Sequence, residues 1–132
     1  MNLDSMSLVH LVILVAFLQY MWFGWEVGAM RGKHKVSAPA TTGNPEFERM
    51  FRVHQNTLEQ LVVFVPALMI FARYLDARWA AGIGAVFIVG RTIYRLNYLD
   101  NPQGRGLGFG LGFASVAVLV LGGIFGAVRA ML

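Results

Sequence analysis

The chain has 132 residues, of which 57% are hydrophobic and 14% are charged, whereas soluble domains average roughly 45–50% and about 25%. So little polar surface argues against a water-soluble protein, and we expect one membrane-embedded domain over residues 1–132. The chain contains no cysteine, which excludes disulfides, a cysteine nucleophile and thiolate metal sites. The net charge of +4 does not indicate a nucleic-acid partner, because the basic residues cluster at the ends of apolar segments.

The first predicted span covers about residues 5–30. Its core, residues 8–27, is nearly all apolar and long enough for the roughly 20 residues that a bilayer crossing needs. No small-residue cleavage site follows a short hydrophobic region, so we do not expect a removable signal. Glu26 lies among interfacial aromatic residues. It is either a carboxylate at the headgroup boundary or the partner of an arginine on another helix.

The second predicted span covers about residues 45–74. Thr42 or Asn44 could cap this helix, and Pro45 suits its first turn. Pro66 lacks a backbone donor, so we expect a kink there. The sequence then predicts a short polar turn at residues 75–78 and an antiparallel third helix.

The first half of this second span is unusually polar for a membrane-spanning helix. Polar groups at membrane depth are costly and usually face a bundle interior or a water-filled cavity, where they mark a site. At about 100° per residue, several of these polar side chains fall on one face of the predicted helix, while His54 lies on a different face. The residues on the shared face are Glu48, Arg52, Asn56 and Glu59.

The third predicted span covers about residues 79–98 and ends in a donor-rich face. Arg91, Tyr94 and Tyr98 are spaced i, i+3 and i+7 and share that face. Such a face is either half of a binding site or an ordinary interfacial belt of tyrosine and arginine. A loop is expected over residues 99–106.

The fourth predicted span covers about residues 106–132 and opens with glycines at four-residue spacing. Such rows allow helices to approach closely. We expect two packing rows here, Gly104–Gly108–Gly112 and Gly106–Gly110, repeated later by Gly122 and Gly126.

Four spans place the first and third loops on one side of the membrane and both termini on the other. The Lys and Arg residues divide eight to three between these sides, so we expect the first and third loops in the cytoplasm. The short loops suggest a minimal protein of a bacterial inner membrane. The eight are Arg31, Lys33, Lys35, Arg49, Arg52, Arg91, Arg95 and Arg105, and the three are Arg73, Arg78 and Arg129.

In this topology the polar ends of the second and third spans meet at the same membrane face. Arginine side chains match carboxylates, whereas Glu59 with Asn56 suits an amine. The residues therefore predict a zwitterionic, peptide-like ligand. The three histidines, His10, His34 and His54, lack metal-ligand spacing, so we predict no metal site.

Three motifs in this order resemble the MAPEG family, the membrane-associated proteins of eicosanoid and glutathione metabolism. They are FERxxRxHxNxxE ending at Glu59, RxxYxxxY from Arg91, and PxxRGLGF from Pro102. The resemblance covers about residues 31–109. It is greatest for the microsomal glutathione transferase branch, which has a histidine where this chain has His54, whereas Gln60 departs from the tyrosine of leukotriene synthase-like members.

The resemblance implies an all-α, up-down four-helix bundle that assembles as a homotrimer, with glutathione bound between neighbouring subunits. It implies a transferase that attacks lipophilic electrophiles or reduces lipid hydroperoxides, with Arg105 stabilising the thiolate. Two alternatives remain, a non-catalytic lipid-binding or scaffold relative and a small multidrug transporter. The residues that the resemblance implies at glutathione are Arg31, Arg52, His54, Asn56, Glu59, Arg91, Tyr94 and Tyr98.

Overall fold

The computed structural model of the chain describes residues 3–132, in which the only regular elements are helices. Each long helix packs against its neighbour in sequence, and α2 also contacts α4 while α1 contacts α3. The predicted all-α class and the number of long helices are therefore confirmed. The long helices are α1 (Leu3–His34), α2 (Pro45–Tyr74), α3 (Ala77–Asp100) and α4 (Gly106–Met131), and a 3-10 helix, Pro102–Arg105, links α3 to α4.

Helix caps explain where the predicted boundaries were right and where they were not. α2 has the predicted ends because Asn44 caps it, with its Oδ1 accepting from the backbone N of Phe47 at 3.1 Å. The predicted turn over residues 75–78 is too long. Asp76 Oδ1 accepts from the backbone N of Arg78 and of Trp79, at 2.8 and 3.1 Å, and starts α3 at Ala77.

The loop expected over residues 99–106 is replaced by helical structure. α3 continues to Asp100, and Asn101 Oδ1 accepts from the backbone N of Gln103 at 3.2 Å to begin the 3-10 helix. Arg105 therefore lies at the end of a short ordered link between two long helices.

Three of the four long helices are long and apolar enough to cross a membrane, namely α1, α2 and α4 with its preceding 3-10 helix. Within residues 3–132 the third helix is not among these candidates. Arg91 and Arg95 lie in its last three turns and lower its hydropathy. The predicted membrane crossing of α3 stays a prediction.

Glycines let α3 and α4 approach along a line that we call the α3–α4 seam, formed by Gly90, Gly108 and Gly112. A Cβ added to Gly90 would lie 2.9 Å from the backbone N of Gly112, and one added to Gly108 would overlap the backbone N of Tyr94. The predicted row Gly104–Gly108–Gly112 is confirmed at Gly108 and Gly112. Gly104 lies in the 3-10 helix, and a Cβ added there would come only within 4.0 Å of Cβ of Asn97. The row through Gly106 and Gly110 has no partner among the described residues, where a Cβ at either position would meet nothing within 4 Å, and it stays a prediction.

Candidate functional site

An open cleft of about 440 Å³ lies where the first half of α2, the end of α3 and the start of α4 meet. Side chains from two of the predicted polar segments and from the 3-10 link converge on it. The cleft is lined by Arg52, Asn56, Tyr94, Tyr98, Arg105 and Phe109.

The aromatic wall of the cleft comes from α3 and α4. The rings of Tyr94 and Tyr98 stack with centroids 5.4 Å apart and planes 16° apart, and the ring of Phe109 lies 6.5 Å from that of Tyr94. Tyr94 is buried and Tyr98 is half-buried. This wall offers apolar ring surface together with phenol groups that can donate hydrogen bonds.

The cationic part of the cleft comes from Arg52 and Arg105, which are both exposed. Nη1 of Arg105 donates to the carbonyl of Pro102 at 2.7 Å, which holds the side chain against its own 3-10 helix. Within residues 3–132 no carboxylate forms an ion pair with either guanidinium. The cleft therefore carries two uncompensated positive charges and suits an anionic ligand.

Arg91 lies behind the cleft wall instead of lining the cleft. Its side chain is only 1% exposed. Nη1 donates to Asn56 Oδ1 and Nη2 donates to Thr57 Oγ1, each at 2.8 Å, and the guanidinium carbon lies 4.3 Å from the ring centroid of Tyr94. In this structure Arg91 orients Asn56 and supports Tyr94, which are both cleft residues.

Three other residues with a predicted binding role do not line the cleft. The His54 ring stacks on that of Tyr20 of α1, with centroids 4.4 Å apart and planes 19° apart. Nη1 of Arg31, in the last turn of α1, donates to the carbonyl of Ala40 in the first loop at 2.7 Å. Glu59 is exposed on α2. Their predicted roles at a ligand remain predictions, and one chain alone does not bring them to the cleft.

A polar contact between α1 and α3 settles the two alternatives for Glu26. Nε and Nη2 of Arg95 donate to its two carboxylate oxygens at 2.8 and 2.7 Å, so the ion-pair alternative is confirmed. Nearby, Gln19 Nε2 donates to Thr92 Oγ1 at 2.8 Å. We did not predict Gln19, although a lone amide in an apolar helix is itself a signal that it has a partner on another helix.

The described residues contain no group of three or more His, Asp or Glu side chains that could hold a metal ion. The polar groups that line the cleft are guanidinium, amide and phenol groups. All of these can donate hydrogen bonds to an anion.

Comparison with known proteins shows the family. Residues 9–125 match the MAPEG family. The chain is 44% identical to an uncharacterized protein of Synechocystis, over 86% of this chain and 83% of that protein. It is 36% identical to human microsomal glutathione S-transferase 2, over 95% and 85%, and 34% identical to guinea pig (Cavia porcellus) leukotriene C4 synthase, over 77% and 68%. The resemblance seen in the motifs is thereby confirmed, and the chain belongs to the MAPEG family.

Proposed function

We propose that this protein is a membrane-bound glutathione transferase that ionises the thiol of glutathione for attack on lipophilic electrophiles. The observation that carries the proposal is the cleft, where Arg52, Asn56, Tyr94, Tyr98 and Arg105 converge from three parts of the chain. Relatives named as glutathione transferases cover most of this chain and support the choice of ligand. The same thiolate would attack the terminal oxygen of a lipid hydroperoxide and break its O–O bond. The lipid leaves as an alcohol, a second glutathione completes the disulfide, and the terminal oxygen leaves as water.

The chemistry of the cleft suits a tripeptide with two carboxylates, one ammonium group and a thiol. Its volume of about 440 Å³ falls within the roughly 300–1,000 Å³ of small-molecule sites. Arg52 can bind a carboxylate with two donors, and Asn56 presents an amide that Arg91 holds in place. The stacked tyrosine rings offer hydroxyl donors and an apolar surface.

Arg105 is the residue that we assign to the thiolate. A free thiol has a pKa of about 8.5, so only about 3% is ionised at pH 7. Lowering that pKa by about two units requires about 2.7 kcal/mol and raises the ionised fraction to about 76%. A guanidinium in a partly desolvated cleft could supply this amount. The bond from Arg105 to Pro102 uses one donor and leaves others for the sulfur.

We further propose that the site is shared between copies in a homotrimer. His54 and Arg31 lie outside the cleft of their own chain, and Glu59 points to the exterior. These three side chains could contribute to a bound tripeptide if the neighbouring copy completes the site. The topology proposed from the charge balance then places the cleft at the cytoplasmic face.

The transporter alternative is less well supported by the structure. A proton-coupled transporter needs a free carboxylate at membrane depth. Glu26 does not fit this role, because both of its carboxylate oxygens accept hydrogen bonds from Arg95.

The proposal is tested by titrating glutathione into the purified protein by calorimetry and by measuring thiol conjugation with a generic electrophile in detergent. We expect glutathione to bind and its ultraviolet thiolate absorbance to rise. Arg105→Ala should retain binding, lose the thiolate signal and lower the conjugation rate. Arg129→Ala changes an exposed arginine far from the cleft and is the matched control. Unchanged conjugation in Arg105→Ala would refute the role of Arg105. Absence of both binding and conjugation in the parent protein would refute the function.

A further inference from the structure

A second polar cavity lies at the end of the bundle opposite the cleft, and the proposed function does not use it. It has a volume of about 430 Å³ and is formed around the short turn between α2 and α3. Arg73 lies 21 residues after Arg52 on α2, on the order of 30 Å along the helix axis. The polar side chains that line this second cavity are Ser5, Arg73, Asp76 and Arg78.

This cavity carries a surplus of positive charge. The side chains of Arg73 and Arg78 are exposed, and neither forms an ion pair within the described part of the chain. Among the described residues that line the cavity, Asp76 is the one carboxylate, and its Oδ1 already accepts from two backbone N–H groups at the start of α3. Two guanidinium groups against one engaged carboxylate favour an anion at this place.

An apolar groove lies beside the polar cavity, and Arg78 lines both. It has a volume of about 420 Å³, runs along the outer face of α3 over Trp79, Gly82, Ile83 and Val86, and shares Arg78 with the polar cavity. Its floor is open at Gly82, where an added Cβ would meet nothing within 4 Å. Trp79 at its entrance is 71% exposed. Residues 79–86 span on the order of 10 Å along the helix, enough for part of an acyl chain.

We propose that the cavity and the groove together bind one anionic phospholipid. Arg73 and Arg78 hold its phosphate through charge-assisted hydrogen bonds, and one acyl chain lies in the groove over Gly82. A free phosphate ion would satisfy the two guanidinium groups but would leave the groove unused. A cationic cavity and an apolar groove that share Arg78 as a lining residue are the observation that selects a lipid.

The test uses the full chain, purified and delipidated in detergent. Dioleoyl phosphatidylglycerol and dioleoyl phosphatidylcholine are titrated in parallel, and the lipid-bound fraction is read by native mass spectrometry. We expect phosphatidylglycerol to bind at least tenfold more tightly. The double variant Arg73→Gln/Arg78→Gln should lose at least tenfold in affinity for it. Arg129→Gln, an exposed arginine at the same end of the bundle, should bind like the parent.

The groove is tested independently by Gly82→Leu, which adds apolar bulk at a position where a Cβ would meet nothing within 4 Å. We expect this variant to weaken phosphatidylglycerol binding at least fivefold. Gly28→Leu, at another glycine with open space above it, should leave binding unchanged. Equal binding of the two lipids, or unchanged affinity in the double arginine variant, would overturn the proposal. Competition by inorganic phosphate with no effect of Gly82→Leu would show a simple anion site and would overturn it as well.

Discussion

The ion pair between Glu26 and Arg95 provides a sharp test of what joins α1 to α3. We consider the variant Glu26→Gln, which keeps the size of the side chain and removes its charge. The side chains of Glu26 and Arg95 are 11% and 17% exposed, so Gln would leave an almost buried guanidinium without its counter-ion. Removing one partner of a buried pair costs about 3–5 kcal/mol. Because Gln keeps one acceptor and Arg95 retains some solvent, we expect about 2–3 kcal/mol of lost stability.

Thermal unfolding of the purified protein in detergent measures this loss. For a chain of this length a loss of about 2–3 kcal/mol lowers the Tm by about 6–15 °C. A double-mutant cycle with Arg95→Met isolates the interaction, and we expect a coupling free energy of about 1.5 kcal/mol or more. Glu46→Gln is the matched control, because Glu46 pairs with Lys33 at 3.3 Å where both side chains are exposed.

The control should lose less than about 1 kcal/mol, since solvent screens a surface pair. The reasoning is refuted if Glu26→Gln unfolds at the same temperature as the parent. A coupling free energy below about 0.5 kcal/mol would equally show that this ion pair does not hold the two helices together.

Two further predictions concern the frame of the cleft. Gly108→Ala should lower stability by about 1–3 kcal/mol, because its methyl group would overlap the backbone of Tyr94. Gly110→Ala, where an added Cβ meets nothing within 4 Å, should not destabilise the protein. Equal unfolding temperatures of the two variants would contradict the close packing of α3 on α4 at Gly108. Arg91→Lys keeps the charge but has only one nitrogen, so it should misplace Asn56 and weaken glutathione binding about tenfold, or about 1.4 kcal/mol. Calorimetry measures the affinity, and a value equal to the parent's would exclude a positioning role.

The convergence of the cleft residues could be predicted because two local signals sufficed. Helical periodicity placed Arg52 and Asn56 on one face of α2 and Tyr94 and Tyr98 on one face of α3. Short connections then forced neighbouring helices to run antiparallel, so the polar ends of α2 and α3 meet. The Arg105 link joins the same end because it directly follows α3.

The remaining site geometry could not be predicted because periodicity does not say which helix a face meets. Arg91 shares a face with Tyr94, yet its side chain is buried against Thr57 and Asn56 of α2. His54 meets Tyr20 of α1 for the same reason. Which helices pack on each face depends on the whole bundle, and no single segment encodes that information.

Turn chemistry was the other source of error. The residues after Tyr98 include proline and glycine, which favour a loop in isolation. Asn101 instead accepts a hydrogen bond from the backbone N of Gln103 and supports a short 3-10 helix. A side-chain cap that satisfies one backbone donor was enough to turn the expected loop into an ordered link.

The α3–α4 seam has a mechanical consequence for the cleft. The backbone of α3 at Gly90 and Tyr94 lies directly against the backbone of α4 at Gly108 and Gly112. The tyrosine wall on α3 and the 3-10 link with Arg105 are therefore both attached to this closely packed pair of helices, α3 and α4. When ligands of different shape bind, the exposed side chains of Arg52 and Arg105 are therefore expected to move, while the backbone of α3 and α4 beneath them stays in place.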